Sequence, residues 1–395
     1  MPATQSSARF VGRDEAFGRL AAGLGDAAGG RARTILLEGT AGVGVTRFID
    51  EAMTRLEGVA ERMTVLRATA WPAWADEPYG PLVRAIAPTL RALPMAELAD
   101  LLGPAAPEVV RLMPDLAPVL DVARPTGWSG GVTAPERRQA RTLEGILGLL
   151  GRLGERQPVV LVLEDLHRAD AATRALVTFL ARISRDQRLA IVGSHQPDVV
   201  GRDDPWAADL AAIGTGPRPA ERVTFAPLER DELATLIEAI EGERASASLL
   251  LLVAERSGGL PLVTEELLAA RRELPSSSLS GSLDELIIAR LSVRSRECRR
   301  VLRLMSLAER PMTTEQLAAV ATAFDADSDR AAPRSVTGPR TGAAGLDADL
   351  WAGWADGLAG GFVVEVDGML AFRHESIGRA VARDLLPIPR TRHHA

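Results

Sequence analysis

The stretch Ile35-Leu36-Leu37-Glu38-Gly39-Thr40-Ala41-Gly42-Val43-Gly44-Val45-Thr46-Arg47 constrains this chain more than any other. The apolar run Ile35–Leu37 reads as a buried strand, a glycine-rich turn follows, and Thr46 to Leu56 has the spacing of a helix. Strand, glycine turn and helix together form a phosphate-binding scaffold. Backbone N–H groups and the helix N-terminus face the anion, and a hydroxyl meets Mg²⁺. The full pattern is G-x-x-x-x-G-K-[ST]. Here Gly39 is followed by four residues, Gly44, then Val45 where lysine belongs, then Thr46. The loop is complete in shape and lacks its cation.

No other lysine can reach back to replace it, because all 46 basic residues are arginine. The 395 residues suffice for two to three domains with a substantial core. A formal charge of −6 gives no chain-wide nucleic-acid footprint. The single cysteine, Cys298, excludes an intramolecular disulfide and any cysteine-rich metal site. With neither a leading signal pattern nor an apolar run long enough to span a bilayer, the expected location is the cytoplasm, with no membrane partner.

Phe10 to Glu15 opens a helix running to about Leu24, and Thr64–Arg67 reads as a second strand. From Trp71 to Gly131 the chain is rich in proline and alanine, a helical insertion between strands, with a turn at Trp128–Gly131. Pro158–Leu163 is a continuous apolar run ending in Glu164-Asp165, the signature of a buried parallel strand with acids at its carboxyl end. Leu189–Gly193 is another short strand, closing on Ser194-His195-Gln196. Strand and helix alternate to about residue 215, the α/β pattern.

Short helices follow, Asp231–Ala239, Leu249–Arg256 and one restarting at Leu260-Pro261-Leu262, then a Pro/Ser/Gly linker from Leu274 to Ser282. Helices are expected at Leu283–Leu291, Ser295–Leu307, Thr313–Ala323 and Ala348–Leu358, with a disordered loop over 324–345. Phe362–Val366 and Met369–Phe372 flank Asp367-Gly368, a hairpin signal, and a last helix starts at Glu375. Three helices and a hairpin read as a winged helix.

Glu164-Asp165 suits a nucleoside-triphosphatase site, one carboxylate holding the Mg²⁺ shell and the next polarising the attacking water. His167 and His195 have no partners at metal spacing and read as structural, and Cys298 reads as core. Arg290, Arg294, Arg296, Arg299, Arg300 and Arg303 read as a solvated face or an interdomain contact.

Val11-Gly12-Arg13, the glycine loop, Leu161–Asp170, Val192–Asp198, Ser257–Leu262 and Phe372-Arg373-His374-Glu375 occur in the order found in STAND-type P-loop ATPases. This order is most similar to the N-terminal regions of the large LuxR-type transcriptional regulators. The resemblance implies a P-loop parallel sheet with helices on both faces over 1–215, with its insertion at 71–131, a helical lid over 216–275 and a winged helix over 276–395. It implies a switch that takes ADP or ATP with Mg²⁺, self-associates and answers to an effector or protein partner. Val11, Gly12 and Arg13 would lie near adenine, Pro261 would support the base, and His374 would touch the β-phosphate side. The loop Gly39, Thr40, Ala41, Gly42, Val43, Gly44, Val45, Thr46 and Arg47 would cradle phosphates, with Thr46 and Glu164 as metal ligands and Asp165 as base.

Three positions depart from the family pattern: Val45 for lysine, Glu164 for aspartate, and Gln196 where a sensor arginine is expected. All three belong to groups that handle phosphate or Mg²⁺. The expected function is therefore nucleotide binding with weak or absent hydrolysis. The rival readings are an active ATPase in which an arginine such as Arg47 supplies the charge, and a regulator binding DNA through its winged helix. Direct DNA binding by this chain is not expected, because the family's helix-turn-helix reader does not occur before Ala395.

Overall fold

The computed structural model describes residues 9–55, 63–118, 135–201, 203–215, 218–275, 281–331, 343–366 and 368–384. The turn expected at Trp128–Gly131 lies outside them. The described chain divides into two compact units, one of Arg13–Thr40 with Gly44–Ala226, the other of Ala41–Val43 with Pro227 onwards and the segment ending at Gly12.

The first unit is built on a five-stranded parallel sheet of order β2-β3-β4-β1-β5. Its strands are β1 (Arg33–Gly39), β2 (Thr64–Thr69), β3 (Val159–Glu164), β4 (Leu189–His195) and β5 (Glu221–Phe225). β3 and β4 are buried along their whole length, which is why they read as unbroken apolar runs rather than alternating ones. Helix α1 (Asp14–Ala28) precedes β1, and α2 (Val45–Arg55) follows the glycine turn.

The proline-rich stretch folds as α3 (Gly80–Arg91), α4 (Met95–Leu102) and α5 (Ala106–Leu112), and α6 (Pro135–Arg156) leads into β3. Leu82, Leu90, Leu101, Val110 and Leu150 share one core with Leu161 and Leu163 of β3, so the insertion is part of the sheet's packing. Helix α7 (Ala171–Ile183) starts on Asp170, whose Oδ1 accepts from the backbone N–H groups of Thr173 at 2.8 Å and Tyr79 at 3.0 Å. This acid caps a helix and ties the insertion to it. Helix α8 (Pro205–Gly214) completes the unit before β5.

The second unit contains α9 (Arg230–Glu241), α10 (Ala247–Ser257), α11 (Pro261–Glu273), α12 (Leu283–Ser292), α13 (Arg296–Ala308), α14 (Thr314–Ala331), α15 (Ala343–Ala359) and α16 (Glu375–Asp384). An antiparallel hairpin, β6 (Val363–Val366) with β7 (Met369–Phe372), precedes α16, and Met312 bridges to Leu370. Ile287, Leu302, Phe362 and Ile377 share its core. Part of the loop expected over 324–345 is helical, since α14 runs on to Ala331 and α15 begins at Ala343, and the residues between lie outside those described. Alanine has the strongest helix propensity, which offsets the loop-like composition around it.

Of the two readings of the arginine-rich helical stretch, a solvated face does not hold for its first member. Arg290 is 0% exposed, and its guanidinium meets Glu266, Glu273 at 3.0 Å, the Gly360 carbonyl at 2.6 Å and the Phe362 ring at 4.8 Å. Arg373 joins the cluster through Glu265 at 2.7 Å and through Glu266. Cys298 is fully buried, and burial pushes its thiol up to about 12. We expect no reaction of the native protein with a thiol-specific disulfide reagent at pH 8 and one reactive thiol after unfolding. Rapid native labelling would contradict this burial.

Candidate functional site

β1 carries the chain to the glycine turn at the carboxyl ends of the parallel strands. Gly42 (φ 82°) and Gly44 (φ 98°) adopt left-handed backbone that side-chain-bearing residues resist, so these two glycines set the turn's shape. Gly39 ends β1, Thr40 is exposed, Ala41 is half-buried and Val43 is buried. Val45 opens α2, and the Gly44 carbonyl accepts from the Phe48 N–H at 2.9 Å, the first turn of that helix. Phe48 packs against Phe17 at 4.6 Å and Phe225 at 4.9 Å, which anchors α2. Thr46 is exposed and Arg47 half-buried.

Within the second unit, the Gly42 carbonyl accepts from the Leu262 N–H at 3.2 Å. Leu262 is the second residue of α11 and Pro261, at the first, has no N–H, so Gly42 satisfies a donor that the helix itself cannot.

Glu164, the last residue of β3, is 2% exposed. Arg67 of β2 donates from Nε to its Oε1 at 2.8 Å, with Nη2 at 2.7 Å. The same guanidinium donates from Nη1 to Asp50 Oδ1 at 2.5 Å. Asp50 lies four residues after Thr46 on α2 and so on the same helix face. Arg67 thus spans the gap between the helix that follows the glycine turn and the acidic end of β3. Burial pushes the Glu164 carboxyl above its usual range, against the pull of Arg67, and the Thr46 hydroxyl lies near enough to lower it slightly. Glu164 Oε2 is buried with no hydrogen-bond partner.

The resemblance to P-loop ATPases implies nucleotide bound with Mg²⁺, for which Thr46 and Glu164 would be the donors. The donor set fits that ion poorly. One carboxylate oxygen is already taken by a guanidinium. A divalent ion on the other would be repelled by that charge by on the order of 5 kcal/mol.

Asp165 has left-handed backbone (φ 56°), and its N–H donates to Ser194 Oγ of β4 at 3.0 Å, which holds the end of β3 against β4. Gln196 follows β4, half-buried. Gly12 and Arg13 both have φ 72°, and the Arg13 guanidinium lies 5.3 Å from the Phe225 ring centroid. Val11 is half-buried. His374 Nδ1 accepts from the Ser376 N–H at 3.1 Å, at the start of α16. Sequence reasoning passed over Arg67 and Asp50 altogether.

His195 is 3% exposed, its Nε2 3.7 Å from Glu38 Oε1 and its ring edge-on to Trp206 at 6.0 Å. Burial, aided by the Arg222 charge, pushes its pKa down to about 4. His167 is pushed down to about 4 by burial and by Arg168. Both lie below the ordinary 6.5, so the unfolded chain takes up protons first as pH falls. Stability from these neutral rings is present above pH 6.5 and is lost as pH falls towards 4. We expect neither ring to titrate between pH 8 and 5.5 when followed by NMR; a midpoint near 6.5 for either would contradict this burial.

Residues 9–192 match the family model described as AAA ATPase domain. The solved structures include the signal transduction ATPase with numerous domains (STAND) protein with a tetratricopeptide repeat sensor from Pyrococcus horikoshii. Against it the identity is 13%, the TM-score 0.53, and the match covers 97% of this chain. This chain spans 44% of the length of that protein. The Walker-type ATPase of Pyrococcus abyssi is similar at 12% identity over 96% of this chain and 99% of its own, with a TM-score of 0.45. No curated protein matches the sequence. Residues 9–192 are thus similar to an AAA ATPase domain, and the solved STAND structure shares the P-loop fold. Among the described residues, no helix is long and apolar enough to cross a membrane.

Proposed function

We propose that this chain is an adenine-nucleotide-binding STAND module of a large LuxR-type transcriptional regulator, acting as a switch or scaffold with little or no ATP hydrolysis. One observation carries the reading. Gly42 and Gly44 hold the turn in left-handed backbone before Thr46, while Val45 supplies no charge and the acid at the end of β3 is held by Arg67. Such a site can hold phosphate on backbone N–H groups, and it lacks the loop lysine and the free acid that phosphoryl transfer draws on.

In this reading ADP or ATP is the ligand, and the helices around the β6–β7 hairpin form the winged helix. The roles given by the resemblance to Val11, Gly12, Arg13, Gln196, Pro261, His374 and Asp165 are part of it, whereas Glu164, held by Arg67, is not a metal ligand in it. Self-association and an effector are the partners that a switch requires.

Steady-state turnover tests the reading. Working phosphotransfer enzymes run at about 1 per second or faster. We expect the purified chain to be far below that, and turnover at that rate, abolished by Asp165→Asn, would contradict the proposal.

A further inference from the structure

The loop has lost its lysine, and the acid that would face a metal has gained an arginine. We propose that Arg67 is the resident cation of the phosphate site and takes the place of the divalent ion, so that nucleoside di- and triphosphates bind here without Mg²⁺. The proposal rests on the nucleotide-binding reading above.

Arg67 is placed for this by the sheet register. Thr69 of β2 pairs with Glu164 of β3, and Arg67 lies two residues earlier on the same face. A long side chain from that position reaches diagonally to the Glu164 carboxylate. There it makes contacts of 2.7 and 2.8 Å to one oxygen and 2.5 Å to Asp50.

Three further observations bear on what the guanidinium does there. It is always charged and carries five N–H donors, and these carboxylate contacts use three at most, leaving donors for an oxyanion. It is 31% exposed on its side chain, so it is open to solvent and to a ligand, whereas Glu164 is sealed. Glu164 Oε2 has no hydrogen-bond partner, so the arginine holds this carboxylate by one oxygen and Glu164 is not fully spent as a structural anchor. A guanidinium also matches phosphate in geometry and charge, which a valine at the start of α2 cannot.

Binding of ADP to the full chain, measured by calorimetry in EDTA and in 5 mM Mg²⁺, tests the idea. The expected result is equal affinity in the two conditions, within about threefold. Arg67→Lys should keep binding within about tenfold. Arg67→Met should lose roughly tenfold or more in EDTA, the worth of a charged hydrogen bond. Retention of the wild-type melting temperature by Arg67→Met shows that this loss is not unfolding. If Arg67→Met fails to fold, the wild-type comparison still decides. Affinity that rises tenfold or more with Mg²⁺ overturns the role given to Arg67, as does an unchanged affinity in a folded Arg67→Met. Absence of ADP binding in both conditions overturns the nucleotide-binding reading itself and this proposal with it.

Discussion

Arg290→Met lowers the unfolding free energy of the C-terminal unit by about 3–5 kcal/mol, the cost of removing one member of a buried charge cluster. Glu266 is 0% exposed and accepts from both Arg290 and Arg373. Without Arg290, one Glu266 oxygen is left in an apolar surround with no proton donor, and the Gly360 carbonyl loses its 2.6 Å partner. Glu273 keeps Arg294, so part of the network survives, and a value at the lower end of the range is expected if water enters. Arg303→Ala serves as control. It breaks an exposed pair with Asp384 at 3.4 Å in the same unit and should change stability by less than about 0.5 kcal/mol. Denaturant titration of both variants decides the matter, and equal effects would contradict the buried cluster.

Val45→Lys raises ATP affinity roughly 10- to 150-fold, the equivalent of about 1.5–3 kcal/mol for a charged hydrogen bond. Val45 opens α2, directly after Gly44, where a long side chain extends over the turn towards the β- and γ-oxygens. Valine is short and β-branched and supplies neither reach nor charge. The gain is larger for ATP than for AMP, which lacks the phosphates that lysine meets. Hydrolysis stays poor, since Gln196 and the Arg67–Glu164 pair are unchanged. Calorimetry on both proteins measures the difference, and a flat ATP affinity would mean that the turn does not hold phosphate.

The elements that frame this site were legible where a local pattern decides them. The glycine turn shows as spacing, because only glycine takes the backbone of Gly42 and Gly44 without strain. β3 shows as an unbroken apolar run ending in acids, because a strand buried on both faces has no alternation.

Arg67 was not legible. Its meaning comes from a sheet register in which Thr69 meets Glu164, and no local pattern in β2 encodes which strand it pairs with. The same holds for Arg290. A run of arginines at helical spacing looks solvated, and only the packing of α11 and of the turn between α15 and β6 against it supplies the buried acids and the carbonyl it serves. Asp170 stands five residues after Asp165, beyond the end of β3, and only the fold shows its carboxylate committed to capping α7 and to Tyr79. The extent of α14 and α15 was missed because alanine-rich polar segments suit both helix and loop, and tertiary context decides between them.

The most direct measurement is calorimetric titration of ADP into the unaltered full chain, without added metal. The account predicts saturable binding at one site per chain. Absence of saturable heat, together with failure of ADP to displace a fluorescent ADP analogue, would contradict it.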